Sequence, residues 1–251
     1  MGLKYKFEHD LDSAERTIQH RQIILEKPFL KKLYLEWYHN FLKEIPGLPK
    51  GKMVELGSGG GFLKQLNADI LSSDILPLPF NDLTFSALDM PFSDQELSAI
   101  FMIDTLHHIP DANQFFKECS RTIVPGGVVI MIEPANSLWG RHIYQNFHHE
   151  PFEPTEGWEI PSQGPMSGAN GALPWIVFER DRAKFESNFP EFSIQEIRYH
   201  TPLRYLFSGG VSFKSLLPGF SFPFFSLVDN LLSRLYPQIS MFMTIKLKRK
   251  Y

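Results

Sequence analysis

Residues 53–62 read Met-Val-Glu-Leu-Gly-Ser-Gly-Gly-Gly-Phe, and this stretch decides the fold. Apolar residues run into Glu55 and then into a glycine-dense turn, and the residues after Phe62 have a helical pattern. Glycines suit a turn that a ligand approaches closely, because a side chain would hold the ligand away from the amides at the helix N-terminus. The stretch therefore predicts a strand, a ligand-binding loop and a helix.

Apolar runs and helical segments alternate after this loop, and each predicted strand is followed by an acidic residue. The strands are 68–73 before Asp74, 83–88 before Asp89, 98–103 before Asp104 and 128–132 before Glu133. Continuous apolar strands separated by helices, such as the one predicted over 111–122, indicate a parallel sheet buried on both faces. Ligands of such sheets bind at the carboxyl ends of the strands, so we expect the four acids to converge on one crevice.

The segments on either side of this core are helical or irregular. Asp12-Ser13-Ala14-Glu15 has the form of a capping box and predicts the start of one helix, and Pro28 predicts the start of a second. Residues 136–175 show no periodicity, so they form either a functional lid or an insertion with local structure of its own. The remaining predicted elements are a helix over 177–189 and strands over 192–197 and 241–247.

Length and composition fit a single domain. Its 251 residues divide into a helical cap (1–50), a core (51–135), a substrate-side region (136–240) and a last strand (241–251). A formal charge of −3 gives no reason to expect nucleic acid or an anionic membrane as the main partner. The single cysteine excludes an intramolecular disulfide. The sequence has no apolar run long enough to span a membrane and no signal-peptide pattern at its start, so we expect a cytoplasmic protein, either a monomer or a weak dimer.

The glycine pattern argues against a dinucleotide and hence against nicotinamide-dependent redox chemistry, because Phe62 occupies the third glycine position of Gly-x-Gly-x-x-Gly. Over roughly residues 50 to 135 the chain instead resembles the class I S-adenosylmethionine-dependent methyltransferases, and specifically the type 11-like ones. Five segments carry the resemblance in the proper order. They are 54–61, Asp74 at the end of the second strand, Leu88-Asp89-Met90-Pro91-Phe92, 103–108 (Ile-Asp-Thr-Leu-His-His) and 121–127 (Arg-Thr-Ile-Val-Pro-Gly-Gly).

The resemblance implies a fold and a cofactor. The fold is α/β: a Rossmann-like, doubly wound, seven-stranded, mostly parallel sheet with an antiparallel last strand, an N-terminal helical cap and insertions after the fifth strand. The cofactor is S-adenosyl-L-methionine, with S-adenosyl-L-homocysteine as product. Asp74 would accept hydrogen bonds from both ribose hydroxyls, a task that suits a carboxylate, and Asp89 would lie near the adenine amino group. The implied cofactor residues are Glu55, Gly57, Ser58, Gly59, Gly61, Asp74, Ile75, Leu88, Asp89, Met90, Ile103, Asp104 and His107.

The resemblance also implies methyl transfer to a small-molecule acceptor, and we favour an oxygen acceptor. The alternative is an accessory or regulatory protein that binds the cofactor without turnover. Methyl transfer needs alignment and exclusion of water, and a base assists when the acceptor is a hydroxyl or a carboxyl group. The candidate catalytic residues are His107, His108 and Glu133; packing against the core or capping a turn is the alternative role for each. Arg21 is either a partner of the cofactor carboxylate or a surface arginine.

Two further segments leave the interpretation open. His148, His149 and Glu150 are of metal-ligating types, but they are adjacent in the chain and the sequence shows no further ligand at a suitable spacing. We therefore expect no metal site. The phenylalanine-rich run 213–232 predicts a helix and loop packed over the sheet, or an apolar substrate entrance, or a contact with membrane lipid.

Overall fold

The computed structural model describes residues 4–161 and 164–251, and its centre is one seven-stranded sheet. The strands are β1 Lys52–Glu55, β2 Ile70–Asp74, β3 Leu83–Thr84, β4 Leu97–Ile103, β5 Ile123–Pro134, β6 Phe192–His200 and β7 Phe242–Arg249. All seven residues of β4 are buried, as expected for a central strand covered on both faces.

The sheet order is β3-β2-β1-β4-β5-β7-β6. Strands β1 to β5 are parallel to one another, and β7 pairs antiparallel with both β5 and β6. The order reverses between β1 and β4, and in open α/β sheets the ligand crevice lies at such a point, outside the carboxyl ends of the strands. The predicted fold class is confirmed, including the antiparallel last strand.

Helices cover both faces of the sheet and its carboxyl edge. They are α1 Ala14–Glu26, α2 Pro28–Leu42, α3 Leu63–Leu66, α4 Ala112–Thr122, α5 Leu138–Phe147, α6 Leu173–Trp175, α7 Arg182–Asn188, α8 Arg204–Ser208 and α9 Phe222–Leu235. The predicted N-terminal helices are α1 and α2. The predicted cap of α4 is also present, since the Asp111 carboxylate accepts from the Gln114 amide at 2.9 Å.

The cap of α1 differs from the prediction. Ser13, not Asp12, is the N-cap residue, and its Oγ accepts from the Arg16 amide at 3.1 Å. The Asp12 carboxylate instead accepts from the amides of Met166 and Ser167 at 2.7 and 2.8 Å. Asp12, although part of the capping pattern, thus binds a distant loop instead of the helix. This contact joins the start of α1 to the segment that follows α5.

The third strand is shorter than predicted. Residues 83–88 have an apolar strand pattern, but only Leu83–Thr84 pair with β2. Beyond them the amides of Leu88 and Asp89 donate to the Ser86 side chain and carbonyl. This local turn competes with strand pairing, as serine side chains commonly do.

The described part of the region 136–175 has local structure of its own, which both a lid and an insertion can have. Its helix α5 begins at Ser137, whose Oγ accepts from the Gly140 amide at 2.8 Å and donates to the Ser240 carbonyl at 2.6 Å. The helix predicted over 177–189 is split into a π-helical turn, Ile176–Arg180, and α7.

A buried ion network joins α2, α8 and α9. Arg204, 1 % exposed, donates from Nε to Asp229 at 2.8 Å and from its two terminal nitrogens to Glu36 at 2.6 and 2.9 Å. Asp229 is fully buried and also accepts from the Leu203 and Arg204 amides. The cap and the C-terminal helices therefore share one charged core.

The phenylalanine-rich run both packs on the domain and exposes an apolar face. Phe222 is buried against Phe29, with ring centroids 5.2 Å apart. An apolar face of α9 and the turn before it is exposed, and we call it the α9 face; it consists of Phe220, Phe224, Leu227, Leu231 and Leu235. Across the described ranges, every helix is too short or too polar to cross a membrane.

Candidate active site

The glycine loop after β1 is shaped by positive backbone angles. Gly57 and Gly59 have φ of +61° and +45°, a region that favours glycine. A Cβ at Gly57 would lie 2.4 Å from Thr105 Cγ2, so this position also needs glycine for packing. A Cβ at Gly59 would lie 3.6 Å from the Gly57 carbonyl oxygen and 3.9 Å from Asp74 Oδ2, which is ordinary van der Waals contact. The loop therefore packs tightly against Thr105 at Gly57 and lies beside Asp74 at Gly59.

Asp74 ends β2 and faces the loop. Its Oδ2 accepts from the Gly59 amide and its Oδ1 from the Leu76 amide, both at 2.9 Å. Burial raises the pKa of this carboxyl group, against the effect of those amides. Each oxygen keeps a second acceptor position, so the oriented carboxylate can take two hydroxyl donors. The chemistry of this carboxylate fits the two ribose hydroxyls of the implied cofactor.

Glu55 lies under the loop. It is 3 % exposed, and burial raises its pKa to about 8. A Cβ at Gly61 would lie 2.3 Å from Tyr38 Oη and 3.3 Å from Glu55 Oε1, and Tyr38 Oη also accepts from the Phe62 amide at 3.1 Å. Glu55 and Tyr38 thus support the loop from beneath.

Helix α1 lies directly on the loop. A Cβ at Gly60 would lie 2.9 Å from the backbone nitrogen of Arg21. The Arg21 guanidinium donates to the Gly61 carbonyl, and its Cζ lies 4.3 Å from the centroid of the Phe80 ring. Arg21 is therefore a loop contact and not a plain surface arginine. A cavity of about 280 Å³ opens here, lined by Arg21, Glu55, Ser58, Gly61, Phe62 and Phe80 among others.

The remaining predicted cofactor residues follow β2 and β3 or end β4. Ile75 follows β2 and is 54 % exposed. After β3, Met90 is buried and its amide donates to Glu118 at 2.8 Å, while Asp89 beside it is exposed. The Leu88 carbonyl accepts from Gln114, and Ile103 is buried at the end of β4. Ile75 and Leu88 are apolar and Asp89 is an exposed acid, and residues of these types suit an adenine ring.

The turn after β4 is strained and held by Glu133. Asp104 has φ of +49°, which is uncommon for a residue with a side chain and concentrates at functional sites. Burial and the neighbouring carboxylates raise the pKa of Asp104 to about 8. Glu133, fully buried, accepts from the amides of Thr105 and Leu106 at 2.9 and 2.7 Å, and its second oxygen lies 2.7 Å from His107 Nδ1. Glu133 therefore caps the turn and orients His107.

Glu150 meets the two histidines of this turn. His107 Nε2 lies 3.4 Å from Glu150 Oε2, and His108 Nε2 lies 3.6 Å from Glu150 Oε1. Although burial disfavours the charged imidazolium, Glu133 and Glu150 together raise the pKa of His107 well above its ordinary value. The structure thus brings the catalytic candidates His107, His108 and Glu133 together and adds Glu150, which the sequence analysis set aside.

Three tyrosines surround Asp104 from the cap and the insertions. Burial and the charge of Asp104 raise the pKa of Tyr34, Tyr144 and Tyr205. They come from α2, α5 and α8, and no motif in the sequence indicates them. The Tyr144 hydroxyl donates to the Met241 carbonyl at 2.7 Å, so Tyr34 and Tyr205 are the two whose hydroxyl groups could hydrogen-bond a small acceptor.

A protein-family model matches the core of the chain. Residues 54–131 match the family model described as a methyltransferase domain. The match begins within β1 and ends within β5, so it covers the glycine loop, Asp74, Asp104 and the histidine turn.

Solved structures of similar fold cover nearly the whole chain at low identity. Geranyl diphosphate C-methyltransferase from Streptomyces coelicolor, in complex with Mg²⁺, geranyl diphosphate and S-adenosyl-L-homocysteine, is 13 % identical with a TM-score of 0.55, covering 98 % of this chain and 91 % of that one. A structure of a complex between the Haloferax volcanii Trm112 activator and a methyltransferase matches at 13 % identity and a TM-score of 0.55, covering 96 % and 98 %. A methyltransferase from Archaeoglobus fulgidus matches at 13 % and 0.52, covering 86 % and 94 %.

Proposed function

Since the chain is a class I S-adenosylmethionine-dependent methyltransferase, we propose that it methylates an oxygen of a small molecule bound beneath 136–175 and 203–235. The observation that carries this proposal is the buried polar pocket wall at the end of β4. The pair of His107 and Glu133 and the Tyr144 side chain are buried there, and Asp104, Tyr34 and Tyr205 are partly buried. Enclosing so many polar groups is costly unless a polar ligand or a chemical step uses them.

Different residues would hold different parts of the cofactor. Asp74 would bind the ribose hydroxyls, and the loop around Gly57 and Gly59 would lie against the methionine part. Met90 and Asp89 would lie near the adenine, and Asp104 and His107 near the transferred methyl. When bound, the cofactor supplies an electrophilic methyl carbon, so the protein has only to align the acceptor and exclude water.

His107 is the residue we assign to the acceptor. Glu133 holds its Nδ1, which leaves Nε2 directed into the site toward Glu150. Glu133 and Glu150 favour the charged form of His107, so His107 must first lose its Nε2 proton toward Glu150 before it can accept the proton of an oxygen nucleophile. His108, stacked on His107 with ring centroids 4.3 Å apart, shapes the same wall.

A carbon acceptor is the main competing assignment. The Streptomyces coelicolor relative is a C-methyltransferase, so this fold also hosts that chemistry. The accessory-protein alternative would use the α9 face to dock, but the methyltransferase family match supports an enzyme. We propose that the α9 face instead contacts lipid or an apolar substrate source.

Product analysis tests the acceptor atom. The enzyme is incubated with carbon-13-methyl-labelled cofactor and panels of alcohols, phenols, carboxylic acids, amines and apolar olefins, and labelled products are assigned by NMR. We expect the label on oxygen, and a His107→Gln variant should slow turnover by about 10²–10⁴-fold, the usual contribution of a proton-transfer group. A label found on carbon or nitrogen would overturn the oxygen assignment.

A further inference from the structure

We propose that His107, His108 and Glu150 form a binding site for a divalent transition-metal cation of the zinc class. Each offers a ligand atom, and the three atoms lie within 4.8 Å of one another. The site itself does not depend on the proposed function, but a cation bound to His107 Nε2 would replace the proton transfer that the proposed function assigns to that nitrogen.

The distances fit a shared cation better than they fit hydrogen bonds. Two ligand atoms about 2.0–2.2 Å from one tetrahedral ion are roughly 3.3–3.6 Å apart. The observed separations from the Glu150 oxygens are 3.4 Å for His107 Nε2 and 3.6 Å for His108 Nε2. Good N–H···O hydrogen bonds are about 2.7–3.2 Å long. Within 4–161 and 164–251, the Glu150 carboxylate makes no hydrogen bond of acceptable geometry, although four imidazoles surround it.

The outer nitrogens of both histidines are already oriented as metal ligands require. Metal-binding histidines usually direct the second ring nitrogen to a carboxylate or a backbone carbonyl, which fixes the tautomer. Here His107 Nδ1 lies 2.7 Å from Glu133 and His108 Nδ1 lies 3.2 Å from the Gly168 carbonyl. Both Nε2 atoms are thereby directed toward Glu150.

The donor set selects the class of cation. Two imidazoles and one carboxylate suit zinc and iron, whereas Mg²⁺ and Ca²⁺ prefer all-oxygen sites. Three protein ligands leave a coordination position open, as in catalytic zinc sites. His149, half exposed with its Nε2 3.6 Å from Glu150 Oε1, is the nearest candidate for a fourth ligand. His148 is less suitable because its Nδ1 accepts from the Glu150 amide.

Metal titration of the full chain tests the site. The untagged protein is stripped with a chelator and titrated with Zn²⁺ against a chromophoric competitor, and Co²⁺ is added separately to record its visible spectrum. We expect one equivalent bound and a Co²⁺ spectrum of nitrogen and oxygen coordination. Glu150→Gln should weaken Zn²⁺ binding at least tenfold, and Glu133→Gln, which removes the carboxylate partner of His107 Nδ1 and alters the cap of the turn after β4, about 10–100-fold.

Glu153→Gln is the matched control, because Glu153 is an exposed glutamate three residues along the chain and, in the described residues, forms no ion pair with these histidines. It should bind Zn²⁺ like the wild type. Substoichiometric Zn²⁺ binding by the wild type, or unchanged affinity in Glu150→Gln, would overturn the proposal. If Glu150→Gln does not fold, the wild-type stoichiometry and Co²⁺ spectrum decide alone. Cofactor binding is also measured on the chelator-stripped protein before metal is added. This measurement tests the methyltransferase site independently of the metal site, so failure of one proposal can be distinguished from failure of the other.

Discussion

Glu55 and Asp74 are carboxylates on neighbouring strands with different surroundings. Asp74 accepts two backbone amides and is partly exposed, whereas Glu55 is enclosed beneath the loop with Tyr38. Burial without a full set of donors favours the neutral acid. Asp74 is thus suited to bind a ligand, and Glu55 to support the loop in its protonated form.

The buried Glu55 should make stability depend on pH. Its pKa is near 4.5 unfolded and about 8 folded, so between these values the folded state binds more protons. The free energy of unfolding therefore falls as pH rises through this window and levels off above it. Glu55→Gln should remove this slope, and its stability relative to the wild type should rise with pH. Urea unfolding of both proteins across the window measures this, and parallel curves would show that Glu55 ionises freely in the folded state.

The sequence predicted the single residues that a local pattern carries and missed those that depend on distant contacts. Asp74 and Gly57 follow from the strand and the turn around them. Glu150 could be read only as part of a His-His-Glu run, because its partners His107 and His108 follow a different strand. The roles of Glu133 and Arg21 were left open because packing determined them.

At the scale of helices, the Arg204 network holds the cap to the C-terminal helices. Arg204→Met leaves the buried Asp229 carboxylate without its counter-ion, and breaking such a pair costs about 3–5 kcal/mol. We expect urea unfolding to show this loss, with Asp229→Asn in the same chain recovering part of it.

The exposed pair of Arg198 and Glu196 provides the control. Arg198→Met removes a surface ion pair, worth about 0–1 kcal/mol, so it should change stability little. Equal losses in Arg204→Met and Arg198→Met would contradict the view that burial makes the first pair important.

Strands and helices with strong periodicity were predicted well, and their ends were not. The central strand β4 and the helix α4 are nearly as expected. The third strand lost residues to a turn at Ser86, and α5 was missed because aromatic and glycine residues hide its pattern. In both cases a local serine contact set the boundary.

At the scale of the whole molecule, the α9 face is a large apolar area on a chain with little net charge. Contiguous exposed apolar surface commonly marks a site of contact with membranes or partners. We expect the protein to co-sediment with neutral phosphatidylcholine vesicles. The double variant Phe224→Ser, Leu227→Ser should lose most of this binding, since both side chains are over 60 % exposed.

Leu66→Ser, on the exposed side of α3, is the matched control and should bind vesicles like the wild type. Binding that is absent in the wild type, or equally reduced by Leu66→Ser, would refute a lipid contact through α9.

The topology of the sheet could be predicted from the alternation of strands and helices in the sequence. The way in which α1, α5 and α8 close the site could not. Alternating strands and helices with the glycine loop predicted the sheet. How α1, α5 and α8 come together over the crevice depends on long-range contacts, such as those of Asp12 with the 166–167 amides, which no periodicity encodes.

The most direct test of the central claim is an equilibrium titration of S-adenosyl-L-homocysteine into the wild type, Asp74→Ala and Asp69→Ala. Asp74→Ala removes hydrogen bonds to a charged acceptor, each worth about 1.5–3 kcal/mol, so affinity should fall at least tenfold. Asp69, exposed just before β2, is the control and should leave affinity unchanged. We predict that the wild type and Asp69→Ala bind S-adenosyl-L-homocysteine tightly and that Asp74→Ala does not. No binding by the wild type, or equal affinity in all three proteins, would contradict it.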